Sequence, residues 1–418
     1  MIMKKLIDQY KYAHGLAPFM FLVILFACDE KDNYINPVSK DKTKPAIVTN
    51  IEVHNFNGGA HITYDLPESG NVLYVQAQYD IREGKSRQAK SSYYSDTITV
   101  RGFEKSAAYE VTLYAVSRAN VKSDPVKVTV NPDTPPYLLV EPTLEVNPDF
   151  GGLNIRAQNP NREPIGIILT AYDSVTGLIE IQDQFYSEEE NINYSVRGFS
   201  PVPREFGVYI TDEFGNTSET KTQIITPFFE TLLNKANFFK YSLASDGKIG
   251  YGWDLPYLWD GKTDGYSAGW HTEPGGSFPI VCTFGLGTYA KLSRFILWER
   301  SDTPPQTWSY AHGNPKNFSI WGSSKDSPQD AVLPVSATEG TVVGDWINLG
   351  NYHFPDPPSG LPPGSTNATD NALVLAGVNF NVPINSPAVK FVRIAVADTW
   401  AGADFAHAME ISIYGTPQ

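Results

Sequence analysis

Alternating apolar and polar positions predict β-strands through the first half of the chain. Tyr109, Val111, Leu113 and Ala115 occupy every second position, and the same period of two returns over residues 126–130. Pairs of glycine or proline at 58–59 and 135–136 mark turns or boundaries. Short alternating strands at this spacing predict a β-sandwich over residues 45–135.

A second copy of this pattern follows the first. The segment Val100-Arg-Gly-Phe103 recurs as Val196-Arg-Gly-Phe199, at an offset of 96 residues, and an alternating stretch comes after each copy. An offset of this size is typical of a repeated domain rather than of a solenoid. We therefore predict a second sandwich over residues 136–227. Neither copy contains a cluster of His, Cys or carboxylates suited to catalysis, and we interpret both as spacers.

The composition changes after Phe228, and all eight tryptophans lie beyond it. Strands separated by long loops are predicted at 278–286, 292–298, 317–321, 346–349, 389–395 and 410–414. A jelly roll over residues 228–418 accommodates them. Cys282 alternates with Ile280 and Phe284 on one strand face, which predicts a buried thiol. The predicted fold class is all-β: two tandem sandwiches followed by a jelly roll.

The first 27 residues read as a secretory signal. Their apolar run, Leu16–Ala27, is too short to cross a bilayer of about 30 Å. Leu25-Phe-Ala-Cys28 resembles the lipobox of bacterial lipoproteins, which implies a lipid anchor on Cys28. The alternatives are a plain secretory signal cleaved nearby and the buried start of a strand. The polar residues 28–44 then form a tether. The run Asp29-Glu-Lys-Asp32 resembles the signal that displays lipoproteins on the outer face of the outer membrane.

A formal net charge of −14 argues against nucleic acid as a partner, because phosphate binding needs a basic stripe and the sequence has none. The charge does not by itself identify a partner.

Segments of the chain resemble two known families. Tyr109–Val116 followed by Ser123-Asp-Pro resembles the late strands of a fibronectin type III domain. Beyond residue 228, a set of segments resembles the coagulation factor 5/8 type C, or discoidin, family in the family's order: Trp259–Asp264, Cys282–Gly287, Phe318–Asp326, Trp346–Gly350, Val389–Ile394 and Glu410–Gly415. Such a three-part lipoprotein resembles the surface glycan-capture proteins of bacterial polysaccharide-uptake systems.

The discoidin resemblance implies two sites. A structural calcium would be held by Asp260, Asp264 and Glu410, whose hard oxygens suit that ion; the alternative is a turn role for Asp260 and an ion pair for Glu410. The glycan site would lie on loops at one end of the barrel. Its candidates are aromatic faces that stack on sugar rings and polar groups that bond to hydroxyls: Trp270, His271, Arg300, Trp308, Tyr310, His312 and Trp400. Core packing is the alternative for each aromatic.

The predicted function is non-catalytic capture of a polysaccharide or oligosaccharide at the cell surface, with other uptake-system proteins as further partners. An adhesin or assembly component that binds protein is the alternative, because discoidin folds do both. A glycoside hydrolase is less favoured. Glu299, Asp302, Asp398 and Asp404 could supply its two carboxylates, but nothing in the sequence pairs them.

Overall fold

The computed structural model describes residues 39–68, 70–173 and 175–418. The predicted signal peptide, the lipid anchor at Cys28 and most of the tether lie outside these residues. The described chain is almost entirely β, as predicted. Within it, no helix is both long enough and apolar enough to cross a membrane.

The first sandwich has seven strands: β1 Thr49–Phe56, β2 Gly59–Asp65, β3 Val72–Arg82, β4 Lys85–Ser92, β5 Thr97–Arg101, β6 Tyr109–Ser117 and β7 Val126–Val130. A three-stranded sheet, β1-β2-β5, packs against a four-stranded sheet, β4-β3-β6-β7. The inward residues of both sheets, among them Ile62, Val100 and Leu113, form one hydrophobic core. The alternation read from the sequence is therefore the alternation between this core and the outer faces.

The second sandwich begins with a short helix at Pro136–Val140 and a 3₁₀ turn at Glu141–Thr143. Its strands are β8 Glu145–Asp149, β9 Gly152–Gln158, β10 Ile165–Tyr172, β11 Ile179–Ser187, β12 Asn191–Arg197, β13 Arg204–Asp212 and β14 Lys221–Ile225. They form the sheets β8-β9-β12 and β11-β10-β13-β14, which repeat the strand order of the first sandwich. The repeated segment ends β5 and β12 alike. Its glycines, Gly102 and Gly198, have φ of 95° and 101°, a conformation that glycine adopts without a steric penalty.

The third unit is built on a nine-stranded sheet and a separate two-stranded ribbon, β17-β24. Its strands are β15 Thr231–Leu232, β16 Phe239–Lys240, β17 Trp270–His271, β18 Ile280–Trp298, β19 Pro315–Ser323, β20 Val342–Val343, β21 Trp346–His353, β22 Val378–Asn381, β23 Val389–Thr399, β24 His407–Ala408 and β25 Glu410–Pro417. A helix spans Ala368–Ala376, and 3₁₀ turns span Lys235–Asn237 and Leu255–Trp259.

One long strand organises this unit. The prediction of two strands at 278–286 and 292–298 was wrong, because β18 runs unbroken through both segments. Its first half pairs with β23 and its second half with β25, and the register shifts between Gly285 and Ala290. Gly287 lies in this shift with φ of 65°, and a side chain there would collide with the carbonyl of Asn237. Residues from both halves of the strand, among them Phe284 and Phe295, belong to one large core.

Candidate functional site

Four chain segments meet at one end of the third unit. The ribbon brings two of them together, because Trp270 pairs with Ala408 and His271 with His407. Residues directly opposite each other on paired strands have neighbouring side chains. The other two segments are the loop around Trp253 and the loop that leaves β18 at Glu299 and reaches β19 at Pro315.

The loop after β18 is held by side chains of its own. Asp302 Oδ1 accepts from the backbone N–H groups of Trp308 and Ser309, at 2.7 and 2.8 Å. The Asn314 amide accepts from Arg300 N and donates to the carbonyl oxygens of Arg300 and Trp308. These bonds fix the backbone on both sides of the Trp308 side chain, whose Nε1 donates to Thr303 Oγ1 at 2.9 Å.

Arg300 lies between two indole rings. Its Cζ is 4.2 Å from the Trp308 ring centroid and 5.0 Å from that of Trp253, distances at which a guanidinium is attracted to the ring faces. Its Nε donates to the Gly265 carbonyl at 3.3 Å. Within the described residues no carboxylate forms an ion pair with this guanidinium. Burial lowers the pKa of Arg300, yet an arginine remains charged at neutral pH.

Three histidines lie beside this arginine. Ring centroids are 5.0 Å apart for His271 and His407, 5.0 Å for His312 and His407, and 5.8 Å for His271 and His312. Phe405 stacks on His271, and the ring of Trp308 meets His312 edge-on at 5.0 Å. His407 and His271 are buried, whereas His312 is only half-buried and so reaches the surface.

The histidines are neutral at physiological pH. Burial lowers the pKa of His271, and it lowers that of His312 to about 4. The pKa of His407 is lowered well below its usual value, first by burial and then by the charges of the other two histidines and Arg300. Each ring therefore keeps one unprotonated nitrogen.

The structure brings together four of the seven predicted glycan-site residues: His271, Arg300, Trp308 and His312. The other three were wrongly assigned to the surface. Trp270 and Tyr310 are fully buried, and Trp400 is 8 % exposed. All three belong to the large core, where Tyr310 meets Trp400 edge-on at 5.0 Å and Lys316 Nζ lies 5.2 Å from the Trp400 ring centroid. Because their faces are covered by protein, they have none left for a sugar.

Four further residues of the site were missed by the sequence reasoning: Tyr251, Trp253, Phe405 and His407. Tyr251 and Trp253 meet His271 edge-on, with ring centroids 4.9 and 5.4 Å away. The segment Tyr251-Gly-Trp253-Asp has the same mixture of aromatic, glycine and acidic residues that identified the other loops, so it carried a usable signal. His407 carried none, because only the pairing of β17 with β24 places it opposite His271.

The predicted calcium ligands do not fit that ion. Glu410 pairs with the Lys235 ammonium through one carboxylate oxygen and accepts from Gly261 N at 2.8 Å through the other. Asp264 accepts from the N–H groups of Tyr266 and Ser267 within its own turn. Asp260 lies 3.2 Å from Lys262 Nζ. The oxygens that calcium would need thus have donors of their own, and an ammonium already neutralises Glu410.

Two of the four carboxylates considered for hydrolysis are not available to a substrate. Glu299 is fully buried, and burial raises its pKa well above the usual range. The carboxylate of Asp302 accepts hydrogen bonds from two backbone N–H groups of its own loop. Neither is presented to a substrate on the surface, where a hydrolase needs a pair.

Family models match three consecutive parts of the chain. Each is described as a domain of unknown function: DUF4959 over residues 45–132, DUF5126 over residues 133–236 and DUF5000 over residues 259–415. No curated protein matches the chain.

Several solved structures are similar to it. A SusE-like protein is 29% identical over 68% of this chain and 100% of its own, with a TM-score of 0.42. The C-terminal domain of a chitobiase from Bacteroides fragilis is 16% identical over 45% of this chain and 99% of its own, with a TM-score of 0.28. A structure described as GH31 CBM32-2 bound to GalNAc is 14% identical over 42% of this chain and 94% of its own, with a TM-score of 0.26.

Proposed function

We propose that the protein binds a glycan without cleaving it, at the surface formed by Trp253, Arg300, Trp308 and His312. The observation that carries this proposal is the Arg300 guanidinium, stacked between two half-buried indoles and paired with no carboxylate of the described chain. A charged donor left unpaired in a protein of net charge −14 is suited to a ligand. Indole surface next to fixed donors matches a sugar ring, which has an apolar face and a rim of hydroxyls.

The two sandwiches serve as spacers in this proposal. They separate the site, along the chain, from the N-terminal end of the described residues, where the tether ends. With a lipid on Cys28, the site would be displayed on the outer face of the outer membrane, where it captures polysaccharide for an uptake system. Metabolic labelling with a fatty acid in the wild type and in Cys28→Ala tests the anchor.

Affinity electrophoresis against a panel of neutral and acidic polysaccharides tests glycan binding. At least one polysaccharide should retard the wild-type protein, and Trp308→Ala should remove most of that retardation. Tyr94→Ala is the matched control, because Tyr94 is an 84 % exposed aromatic of the first sandwich, far from the site in sequence. The proposal is wrong if no polysaccharide retards the wild type, or if Trp308→Ala and Tyr94→Ala migrate alike in every gel.

A second candidate function, protein binding, is favoured by one feature of the second sandwich. The hairpin formed by β10 and the edge strand β11 exposes five large apolar side chains, on its strands and in the connection between them: Tyr172, Val175, Leu178, Ile179 and Ile181. An exposed apolar edge strand is a surface on which another chain can pair. Light scattering should show concentration-dependent self-association that Ile181→Lys abolishes; a monomer at all concentrations would exclude contact between copies through this edge.

A further inference from the structure

The three histidines of the site form a geometry that glycan binding does not require. One nitrogen from each ring lies within 4.8 Å of the corresponding nitrogens of the other two, and within the described residues this is the group of His, Cys, Asp and Glu side chains with the spacing of a metal site. They come from three separate segments: β17, the loop after β18, and β24. The pairing of β17 with β24 and the bonds that fix the loop hold the three rings in place.

The hydrogen bonds of the cluster determine which nitrogens are free. His271 Nδ1 donates to the Thr272 carbonyl at 2.7 Å, so its Nε2 is unprotonated. Metal-binding histidines commonly donate their second nitrogen to a backbone carbonyl in this way. Gly313 N donates to His407 Nε2 at 3.1 Å, which makes that nitrogen an acceptor as well. His312 Nδ1 lies 2.8 Å from the same nitrogen and donates its proton to it.

A second observation shows that packing does not fully account for the cluster. His407 is completely buried, and its Nδ1 has no hydrogen-bond partner within the described residues. Burial of a polar atom without a partner is costly, so packing alone does not explain a histidine at this position. Three imidazoles in contact are thus an unfavourable choice for a core, but they are a good set of ligands.

We propose that His271, His312 and His407 bind a divalent transition-metal ion, with Zn²⁺ as the ion that three imidazoles at a partly exposed site suit best. The ion takes the place of the proton that His312 Nδ1 donates to His407 Nε2, and it displaces the Gly313 N–H from the same lone pair. That proton moves from Nδ1 to Nε2 of His312, so each imidazole stays neutral and no net proton is released. The three nitrogens draw together from their present separations to about 2.0–2.1 Å from the metal.

The charge around the site determines its fourth ligand. Arg300 interacts electrostatically with all three histidines and opposes a bare dication there. An anion in the fourth position, such as a carboxylate, would bind both the metal and this guanidinium. Because His312 is the half-buried member, the fourth position is reached from its side. The proposal does not depend on glycan binding, although it places the metal beside the same arginine.

The test is a zinc titration of the mature chain, purified without a histidine tag and stripped with a chelator. Competition against a chromophoric chelator should show one tightly bound Zn²⁺ per chain, and Co²⁺ in its place should give the visible absorption of a low-coordinate nitrogen site. His312→Gln should lose this binding. His54→Gln is the matched control, because His54 is an exposed histidine of the first sandwich and should leave the titration unchanged.

Two results would overturn the proposal: a wild-type chain that binds no stoichiometric Zn²⁺, or a His312→Gln chain that binds it as tightly as the wild type. If His312→Gln does not fold, His271→Gln is the second variant, and the zinc-dependent rise in the melting temperature of the wild type is the second readout. No glycan is present in these measurements, so their failure is separate from a failure of glycan binding. Polysaccharide gels run with and without chelator then show whether the two sites are linked.

Discussion

The Arg300 guanidinium stacks on the Trp308 indole, with 4.2 Å between Cζ and the ring centroid. This contact gives Arg300 an orientation without giving it a counter-ion, since no carboxylate of the described chain pairs with it. Its Nη groups therefore keep their capacity to donate to a ligand. Cation–π contacts of this kind contribute about 0.5–2 kcal/mol, enough to hold a side chain in place before a ligand arrives.

Replacement of Arg300 by lysine should separate charge from geometry. Arg300→Lys retains the positive charge but loses the planar fork that stacks on an indole and binds a carboxylate through two bonds. We expect glycan affinity to fall about tenfold in both Arg300→Lys and Arg300→Ala, which corresponds to about 1.4 kcal/mol. Isothermal titration with the polysaccharide found by electrophoresis measures this. Full affinity in Arg300→Lys would show that charge alone suffices.

Trp400→Ala should act on stability and leave recognition intact, in contrast to Trp308→Ala. Trp400 is buried against Tyr310, and the loss of a buried aromatic ring costs about 3–5 kcal/mol. Urea unfolding followed by tryptophan fluorescence reports on this unit alone, because all eight tryptophans lie beyond Phe228. At a temperature where Trp400→Ala is still folded, its glycan affinity should equal that of the wild type. A selective loss of glycan affinity with unchanged stability would show that Trp400 contacts the glycan after all.

The joint between the second sandwich and the third unit should depend on Glu230. Its carboxylate accepts from Arg197 Nη1 at 3.2 Å, Arg294 Nη2 at 3.2 Å and Ser293 Oγ at 2.6 Å, and its side chain is 9 % exposed. Glu230→Gln leaves the two arginines without this counter-ion, at a cost of about 3 kcal/mol. Limited proteolysis should then cleave the connection at residues 225–231 faster than in the wild type.

An exposed ion pair provides the control for this prediction. Arg162 and Glu190 lie 2.8 Å apart on the second sandwich, with side chains 67% and 50% exposed. Pairs of this kind contribute about 0–1 kcal/mol, so Glu190→Gln should leave both the cleavage rate and the unfolding curve close to wild type. Equal effects from the two substitutions would mean that Glu230 does not stabilise the joint.

The free energy of unfolding should decrease between pH 5 and pH 8, because Glu410 loses its proton over this range. Burial raises its pKa to about 7, although the Lys235 ammonium and the Gly261 N–H act in the opposite direction. The folded protein therefore holds this proton more tightly than the unfolded chain does. The stability that the proton contributes is complete below about pH 4.5 and is lost as the pH rises toward 7.

Urea unfolding at intervals of pH, again followed by tryptophan fluorescence, measures this loss. In Glu410→Gln the decrease over this window should be smaller, because the amide does not titrate. Glu188→Gln, at an exposed position of the second sandwich, should follow the wild type. Parallel curves for all three proteins would contradict the assignment of the titration to Glu410.

Local periodicity was sufficient to predict the all-β fold and the buried position of Cys282. Strand alternation and turn residues act over a few positions, and the repeat of Val-Arg-Gly-Phe reflects two strands that end in the same glycine conformation. The single course of β18 was not predictable in this way, because the residues between its two apolar halves resemble a turn. Its continuity depends on pairing with strands distant in sequence, chiefly β23 along its first half and β25 along its second.

The sequence by itself determined that aromatic and polar residues crowd the loops of the last 190 or so residues, and that His271, Arg300, Trp308 and His312 were candidates for a site. Tertiary structure decided which rings face outward. Trp308 and Tyr310 are two residues apart in one loop, yet one is half-buried at the site and the other lies in the core. Tertiary structure also placed His407 opposite His271, because strand register depends on contacts between residues distant in sequence, and no local pattern records those contacts.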